Sequence, residues 1–165
     1  MEPVTLKQLF QRLNGGRLLG LDVGSRNIGV AVSDPHCRIA SPHSVLYWTQ
    51  STVLKNISWL ESLVPELSIT GFVIGYPLEL TGFQGKEVAQ MKLFVRQLQL
   101  SEQFPKISYI YWDEQLTFLA VTNVIVSMDI SGWHRKSIID KMSALCILQG
   151  CLDSLTQLEN GTKCS

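Results

Sequence analysis

The sequence predicts an α/β layer fold with a mixed β-sheet, and two observations lead to this class. Short runs rich in Val, Ile and Leu come first, and further apolar runs then alternate with stretches of helical periodicity. Strands joined by a short turn are expected to pair antiparallel, whereas strands separated by a helix are expected to pair parallel through right-handed crossovers.

The first third of the chain is expected to form one helix and three strands. Apolar residues recur with helical spacing over residues 3–13 and stop at a Gly-Gly pair, which predicts a short amphipathic helix. The segments 17–24 and 27–34 are predicted strands joined by a tight turn. A third strand over 37–48 contains Pro42, which favours a position at the edge of the sheet.

The middle of the chain alternates between helix and strand. Residues 51–64 begin with a Ser/Thr cap and predict a helix, 69–77 a short buried strand, and 85–100 a second helix. The side chains expected to face the core are Leu54, Ile57, Leu60 and Val64 in the first helix, and Val88, Met91, Phe94, Val95 and Leu98 in the second.

The last third carries one more strand and a long terminal helix. Residues 107–114 predict a strand and 116–128 a helix, despite the β-branched residues of that segment. Residues 129–136 are expected to form a loop, and residues 137–155 the last long helix.

Length and composition fit one intracellular domain over residues 1–165. Residues 1–16 are expected to form an N-terminal helical extension and residues 159–165 a flexible tail. The 14 basic and 14 acidic residues balance, which excludes a strong global basic field. The four cysteines form no CxxC pair, and no apolar run approaches the ~18 residues of a membrane span. A cytoplasmic protein without a membrane partner is therefore expected.

Acidic residues in or beside apolar segments are the candidates for chemistry. Asp22 lies inside the predicted strand "RLLGLDVG", Asp113 and Glu114 end the last strand, and Asp140 lies in the final helix. Spacing alone favours separate surface or capping acids. If they converged, their charges would repel unless a hard cation such as Mg²⁺ or Mn²⁺ neutralised them.

Four blocks of the sequence carry a resemblance to a known family. The segments "GLDVGSRNIGVAVSD", "VIGYPLELTGFQG", "WDEQLTFLA" and "IIDKMSALCILQGCLD" resemble, in this order, the successive motifs of the YqgF/RuvX family. These are RNase H-like proteins regarded as pre-16S rRNA nucleases and as relatives of Holliday-junction resolvases. The resemblance covers residues 17–153 and implies an RNase H-like fold, a five-stranded mixed sheet with helices on both faces.

The resemblance also implies a metal-dependent nuclease. At the matching positions Asp22, Glu114 and Asp140 would be the catalytic residues and the ligands of Mg²⁺ or Mn²⁺. Structured nucleic acid would be the partner, RNA rather than DNA, with rRNA precursors as the leading substrate. The chain would act as a monomer or a weak homodimer.

Several residues near these acids are candidates for substrate contacts. Gly24 would permit a tight turn after Asp22, and Gly29 would let a substrate backbone approach closely. The alternative is that both are plain turn and packing glycines. Arg26 lies in the turn beside Asp22 and is the leading phosphate ligand. Arg135 and Lys136 form part of the densest local basic patch.

The chain departs from the family pattern at a few positions. Gln115 replaces an arginine beside the motif glutamate and stays among the expected substrate contacts, without a charge to hold a phosphate. Phe118 replaces a threonine, and Ser143 replaces the first of two alanines in the last helix. The three acids are retained, so metal binding is expected to be retained as well.

Three alternatives to an rRNA-processing nuclease remain open. The first is a Holliday-junction-type DNA resolvase, and the second is a catalytically silent nucleic-acid-binding module on the same fold. The third is an actin-like or sugar-kinase-like ATPase, because "DVGS" fits the first phosphate loop of that class. Such ATPases need two lobes and a second phosphate loop, which the sequence lacks.

The strand over residues 107–114 makes a sharp prediction about its two terminal acids. Successive side chains of a strand point to opposite faces, so Asp113 shares a face with Ile107, Tyr109 and Tyr111. Glu114 follows Ser108, Ile110 and Trp112 on the other face. Only one of the two acids is expected to face Asp22, and the resemblance indicates Glu114.

Overall fold

The computed structural model describes residues 1–76, 85–113 and 133–163, without the side chains of residues 86, 133–137 and 162–163. Six strands and four helices are defined there. In chain order they are β1 (Glu2–Pro3), α1 (Leu6–Arg12), β2 (Arg17–Val23), β3 (Asn27–Ser33), β4 (Ala40–Tyr47), α2 (Val53–Glu66), β5 (Ile69–Tyr76), α3 (Lys86–Leu100), β6 (Ser108–Asp113) and α4 (Trp133–Lys163).

The strands form one mixed sheet in the order β1-β6-β5-β2-β3-β4. The pairs β2/β3 and β3/β4 are antiparallel, whereas β2/β5, β5/β6 and β1/β6 are parallel. The predicted mixed sheet is therefore confirmed. Strand β4 lies at the edge, as Pro42 indicated, and its register with β3 shifts beside that residue.

Each face of the sheet carries its own hydrophobic core. Helices α2 and α3 pack on one face through residues such as Leu60 and Phe94. Helices α1 and α4 pack on the other face, where Leu9 and Leu148 are fully buried. All five residues expected to face inward from α3 are buried there. The helices thus cover both faces, as the family resemblance implied.

The N-terminal segment differs from the prediction in two respects. Residues Glu2 and Pro3 form a sixth strand that pairs with Ser108 and Tyr109 of β6. A pair of residues is too short to show the alternation by which strands are recognised in a sequence. Helix α1 begins only after Thr5, whose side chain and that of Gln8 form a reciprocal capping box.

Helix α2 confirms the predicted segment but not every predicted core position. Leu54 is 70% exposed, whereas Val53, Ile57 and Leu60 are buried. The buried stripe follows positions 53, 57, 60 and 63, and Leu54 lies about 100° away from its first member. The prediction that Leu54 faces the core is therefore wrong.

Helix α4 is much longer than the sequence indicated. It begins at Trp133, inside the predicted loop, and continues to Lys163, through most of the predicted tail. The predicted helix over 116–128 and the first part of that loop lie outside the described residues. None of the described helices is long and apolar enough to cross a membrane.

The loop between β3 and β4 is fastened to the C-terminal half of α4. Gln149 Oε1 accepts a hydrogen bond from the Ala40 N–H (2.8 Å), and Gln149 Nε2 donates to the Arg38 carbonyl (3.0 Å). The Arg38 guanidinium also donates to Thr156 Oγ1 (3.1 Å) and forms an ion pair with Glu159. These contacts fix one end of α4 against the sheet.

Candidate active site

Asp22 faces helix α4 because of its position in β2. Leu19, Leu21 and Val23 belong to the core under α2 and α3, whereas Leu18 belongs to the core under α4. The alternation of a strand therefore places Leu18, Gly20 and Asp22 on the α4 side. Asp22 is half-buried at the end of this row.

Two glycines let α4 approach the strands closely enough to bring Asp140 to the same place. A Cβ atom at Gly20 would lie 2.9 Å from the Ala144 carbonyl oxygen, and one at Gly29 would lie 2.0 Å from the Asp140 carbonyl oxygen. Gly29 is the cross-strand partner of Asp22. Contact between α4 and β3 at Gly29 therefore brings Asp140 next to Asp22.

The electrostatics of this pair are unfavourable without a counter-charge. The pKa of Asp22 is raised to about 7, mainly by burial and in addition by the negative charges of Asp140 and Glu87. The ion pairs among the described side chains join Arg12 to Glu2 and Arg38 to Glu159, so neither neutralises Asp22.

The residues fit a divalent cation of the Mg²⁺ or Mn²⁺ class. Asp22 and Asp140 offer carboxylate oxygens, the ligands that these hard cations prefer, and a cation would relieve the repulsion between them. The Ser143 hydroxyl, one helical turn from Asp140, is buried and has no hydrogen-bond partner in the part of the chain that the structure describes. Among the described residues, no group of three or more potential ligands is arranged to hold a metal.

The turn that follows Asp22 is held from both sides. The Gly24 N–H donates to the Asn27 carbonyl (2.9 Å), and the buried Trp48 donates its indole N–H to the Gly24 carbonyl (2.9 Å). The backbone N–H of Trp48 also donates to the Arg26 carbonyl (2.8 Å). The exposed Arg26 thus projects from a fixed backbone at the strand end that carries Asp22.

The structure assigns packing roles to two of the predicted substrate glycines. The space beside Gly29 is filled by the backbone of α4, so the close approach there is made by the helix. Gly24 has no positive φ, but a Cβ atom would lie 3.2 Å from the Asn27 carbonyl oxygen. The tightness of the turn, rather than left-handed backbone, favours glycine at this position.

The remaining predicted site residues are only partly described. Glu114 and Gln115 lie outside the described residues. Arg135 and Lys136 belong to the first turn of α4, and nothing is assigned to their side chains. In β6, Tyr109 packs under α2 and α3, whereas Ile110 and Trp112 pack on the α4 side, which confirms the predicted alternation up to Trp112.

Sequence reasoning missed three residues around the carboxylates. Asn27 donates its Nδ2 to Asp140 Oδ2 (2.8 Å), Trp48 holds the turn, and Glu87 acts on Asp22 from the first turn of α3. A signal existed only for Glu87. It is an acid at the start of the helix after β5, and β5 is the parallel neighbour of β2.

Comparison with known proteins identifies the family of this chain. The family model described as "RuvX: Holliday junction resolvase" matches residues 16–154. The chain belongs to the RuvX family. A relative from Methylocella silvestris, named "Putative pre-16S rRNA nuclease", is 37% identical over 143 residues, 87% of this chain and 86% of that protein. One of the same name from Rhizobium etli is 33% identical and covers 96% of this chain and 94% of its own length.

Solved structures share the RNase H-like fold of this RuvX-family chain. RuvC of Thermus thermophilus in complex with a Holliday junction substrate superimposes with a TM-score of 0.54 at 8% identity, covering 85% of this chain and 96% of that one. The yeast mitochondrial Holliday junction resolvase gives a TM-score of 0.51 at 12% identity, with 96% and 88% covered. At such identities the likeness concerns the fold.

Proposed function

We propose that this chain is a metal-dependent nuclease that hydrolyses phosphodiester bonds in structured nucleic acid, with rRNA precursors as its substrate. The observation that carries the proposal is the juxtaposition of Asp22 and Asp140 under α4 in a RuvX-family chain. The name of the relatives, pre-16S rRNA nuclease, supports the choice of substrate.

Asp22 and Asp140 would hold the divalent cations, with Glu114 as the third carboxylate. Ile110 and Trp112 of β6 pack on the α4 side, and a strand period of two predicts the same side for Glu114. Asp113 falls on the opposite face. Bound cations of this class supply activation of a water molecule and stabilisation of the leaving oxygen in phosphodiester hydrolysis.

Basic side chains near the carboxylates would orient the substrate. Arg26 would bind a phosphate next to the carboxylates, and Arg135 and Lys136 would add charge from the first turn of α4. Burial of Asp22 excludes part of the solvent, which strengthens every electrostatic interaction there. With no net positive charge, binding is expected to have a shallow salt dependence.

A cleavage assay tests the proposal. The purified chain is incubated with a 16S rRNA precursor fragment, a four-way DNA junction and a linear duplex, each with Mg²⁺, with Mn²⁺ and with EDTA. Cation-dependent cleavage of the precursor is expected. Cleavage of the junction alone would favour the resolvase, and binding of all substrates without cleavage would make the chain a silent module.

Trp48 provides a test of the turn that carries Arg26. The Trp48→Phe variant keeps an aromatic ring against Phe94 (5.5 Å between centroids) but loses the bond to the Gly24 carbonyl. A loss of about 1 kcal/mol in stability is expected, because that carbonyl loses its indole donor. We expect several-fold weaker binding of the precursor in EDTA, with a smaller change in the cleavage rate at saturation.

The matched control for this variant is Trp59→Phe. Trp59 is partly buried on α2 beside His43, away from the turn. The Trp59→Phe variant should leave precursor binding unchanged. If both variants weaken binding equally, Trp48 acts only through general stability.

A further inference from the structure

The side chain of Asn27 makes a contact that the proposed chemistry does not by itself require. Asn27 is the first residue of β3, and its Nδ2 donates to Asp140 Oδ2 at 2.8 Å. Gly29 and Ala31, two and four positions further along, contact α4. The alternation of β3 therefore directs Asn27 toward α4, and both partners of the bond are half-buried.

Asp140 needs such a contact because its backbone alone does not fix its carboxylate. The packing at Gly29 sets the position of the Asp140 main chain, but rotation about the side-chain bonds remains. The neighbouring charge of Asp22 repels the Asp140 carboxylate and favours rotamers that turn it away. A hydrogen bond to one oxygen opposes that rotation.

The backbone of Asn27 is itself held in place by its neighbours. Its carbonyl accepts the Gly24 N–H at 2.9 Å, and its backbone pairs with Tyr47 of β4. The amide therefore starts from a backbone that is held on two sides. A short side chain on such a backbone has few rotamers from which to reach Asp140.

The chemical type of the donor also matters at this place. An arginine or lysine would neutralise Asp140 and compete with a divalent cation, whereas an amide donates a hydrogen bond without adding charge. Carboxylates that bind metals are commonly oriented by neutral outer partners of this kind.

We propose that Asn27 is a positioning residue, which holds the Asp140 carboxylate in the orientation that takes a divalent cation together with Asp22. The proposal rests on the proposed nuclease function, because it assumes that Asp22 and Asp140 share a cation. Asn27 touches neither substrate nor cation in this role. It acts through Asp140.

The test measures Mn²⁺ binding by calorimetry, with thermal unfolding as the check on folding. The Asn27→Leu variant keeps a side chain of similar size without the donor, and Asn27→Ala is measured beside it in case either one fails to fold. Both are expected to bind Mn²⁺ about 10-fold more weakly than the original chain. Asn27→Gln retains an amide donor and is expected to restore part of the affinity.

The matched control is Asp153→Ala. It removes an amide-to-carboxylate bond of the same length, from Gln149 Nε2 to Asp153 Oδ1 (2.8 Å), on the same helix. Mn²⁺ affinity should not change in this variant. If Asp153→Ala and Asn27→Leu lose Mn²⁺ affinity equally, the effect comes from the stability of the helix alone, and the proposal is wrong.

The remaining outcomes separate the positioning role from the proposed function. If the original chain binds Mn²⁺ and Asn27→Leu binds it equally well, the positioning role is wrong while the nuclease proposal stands. If Asn27→Gln binds Mn²⁺ as weakly as Asn27→Leu does, the proposed role of the amide donor is also wrong. If the original chain binds no Mn²⁺ and cleaves nothing, the proposed function fails and the role of Asn27 with it.

Discussion

Replacement of Asp22 by asparagine is expected to abolish cation-dependent cleavage and to stabilise the cation-free protein at neutral pH. The carboxylate is half-buried beside Asp140, and its pKa is raised from 3.8 to about 7, first by burial and then by its acidic neighbours. This rise corresponds to at most about 4 kcal/mol of unfavourable free energy for the ionised carboxylate in the folded protein. Asparagine keeps the shape and removes the charge.

The pH dependence of stability gives this prediction a definite sign. The folded state binds the Asp22 proton more tightly than the unfolded state, so the free energy of unfolding falls as the pH rises from about 4 to about 7. The decrease in the free energy of unfolding that Asp22 causes should be absent in Asp22→Asn. Thermal unfolding at pH 5 and pH 8, in EDTA, measures the difference.

Asp34 provides a control of opposite sign. Hydrogen bonds from the backbone N–H groups of Ile39, Arg38 and His36 lower the pKa of this half-buried carboxyl. Its contribution to stability is therefore present above about pH 4 and lost as the pH falls through its folded-state pKa. Asp34→Asn should be less stable at neutral pH and still active. Full cleavage by the Asp22→Asn variant would show that Asp22 is not a ligand of the metal.

The second large effect is expected from Gly29→Ala. The new Cβ would lie 2.0 Å from the Asp140 carbonyl oxygen, so either α4 or β3 must move. Overpacking of this kind typically destabilises a protein by about 1–3 kcal/mol. The movement also displaces Asp140 from Asn27 and Asp22, and a displacement of about 1 Å at a reacting centre lowers a rate about 100-fold.

Gly161→Ala is the matched control for Gly29→Ala. It makes the same substitution near the end of α4, where an added Cβ would meet no described atom within 4 Å beyond its chain neighbours and its own helical turn. Because alanine favours a helix over glycine by up to about 1 kcal/mol, this variant should be as stable as the original or more so. Cleavage should not change. If Gly29→Ala melts and cleaves like the original chain, the close contact does not position Asp140.

Much of the scaffold could be predicted because its signals are local. The alternation in "RLLGLDV" and "ISYIYWD" assigns each residue to one face of the sheet, and the two cores follow that assignment. The same alternation predicts that Asp113 and Glu114 face opposite sides of the sheet. The helical spacing of α3 identified all its buried residues.

The parts that could not be predicted depend on contacts between distant segments. Asn27 and Asp140 are separated by 113 positions, and neither residue type signals the other. The role of Gly29 depends on which segment fills the space beside it, and a glycine in a strand permits several answers. Strand β1 exists because β6 offers a free edge to two residues.

The fastening of the β3–β4 loop to α4 has a mechanical consequence for the carboxylates. Gln149 and Asp140 lie nine residues apart on one helix, a distance of about 14 Å along its axis. A continuous helix resists compression, so the bonds that Gln149 makes to Ala40 and Arg38 help to set the axial position of Asp140, together with the packing at Gly29. A change in the β3–β4 loop that removed these two bonds would therefore let α4 slide along its axis and shift Asp140, without touching any group that binds the substrate.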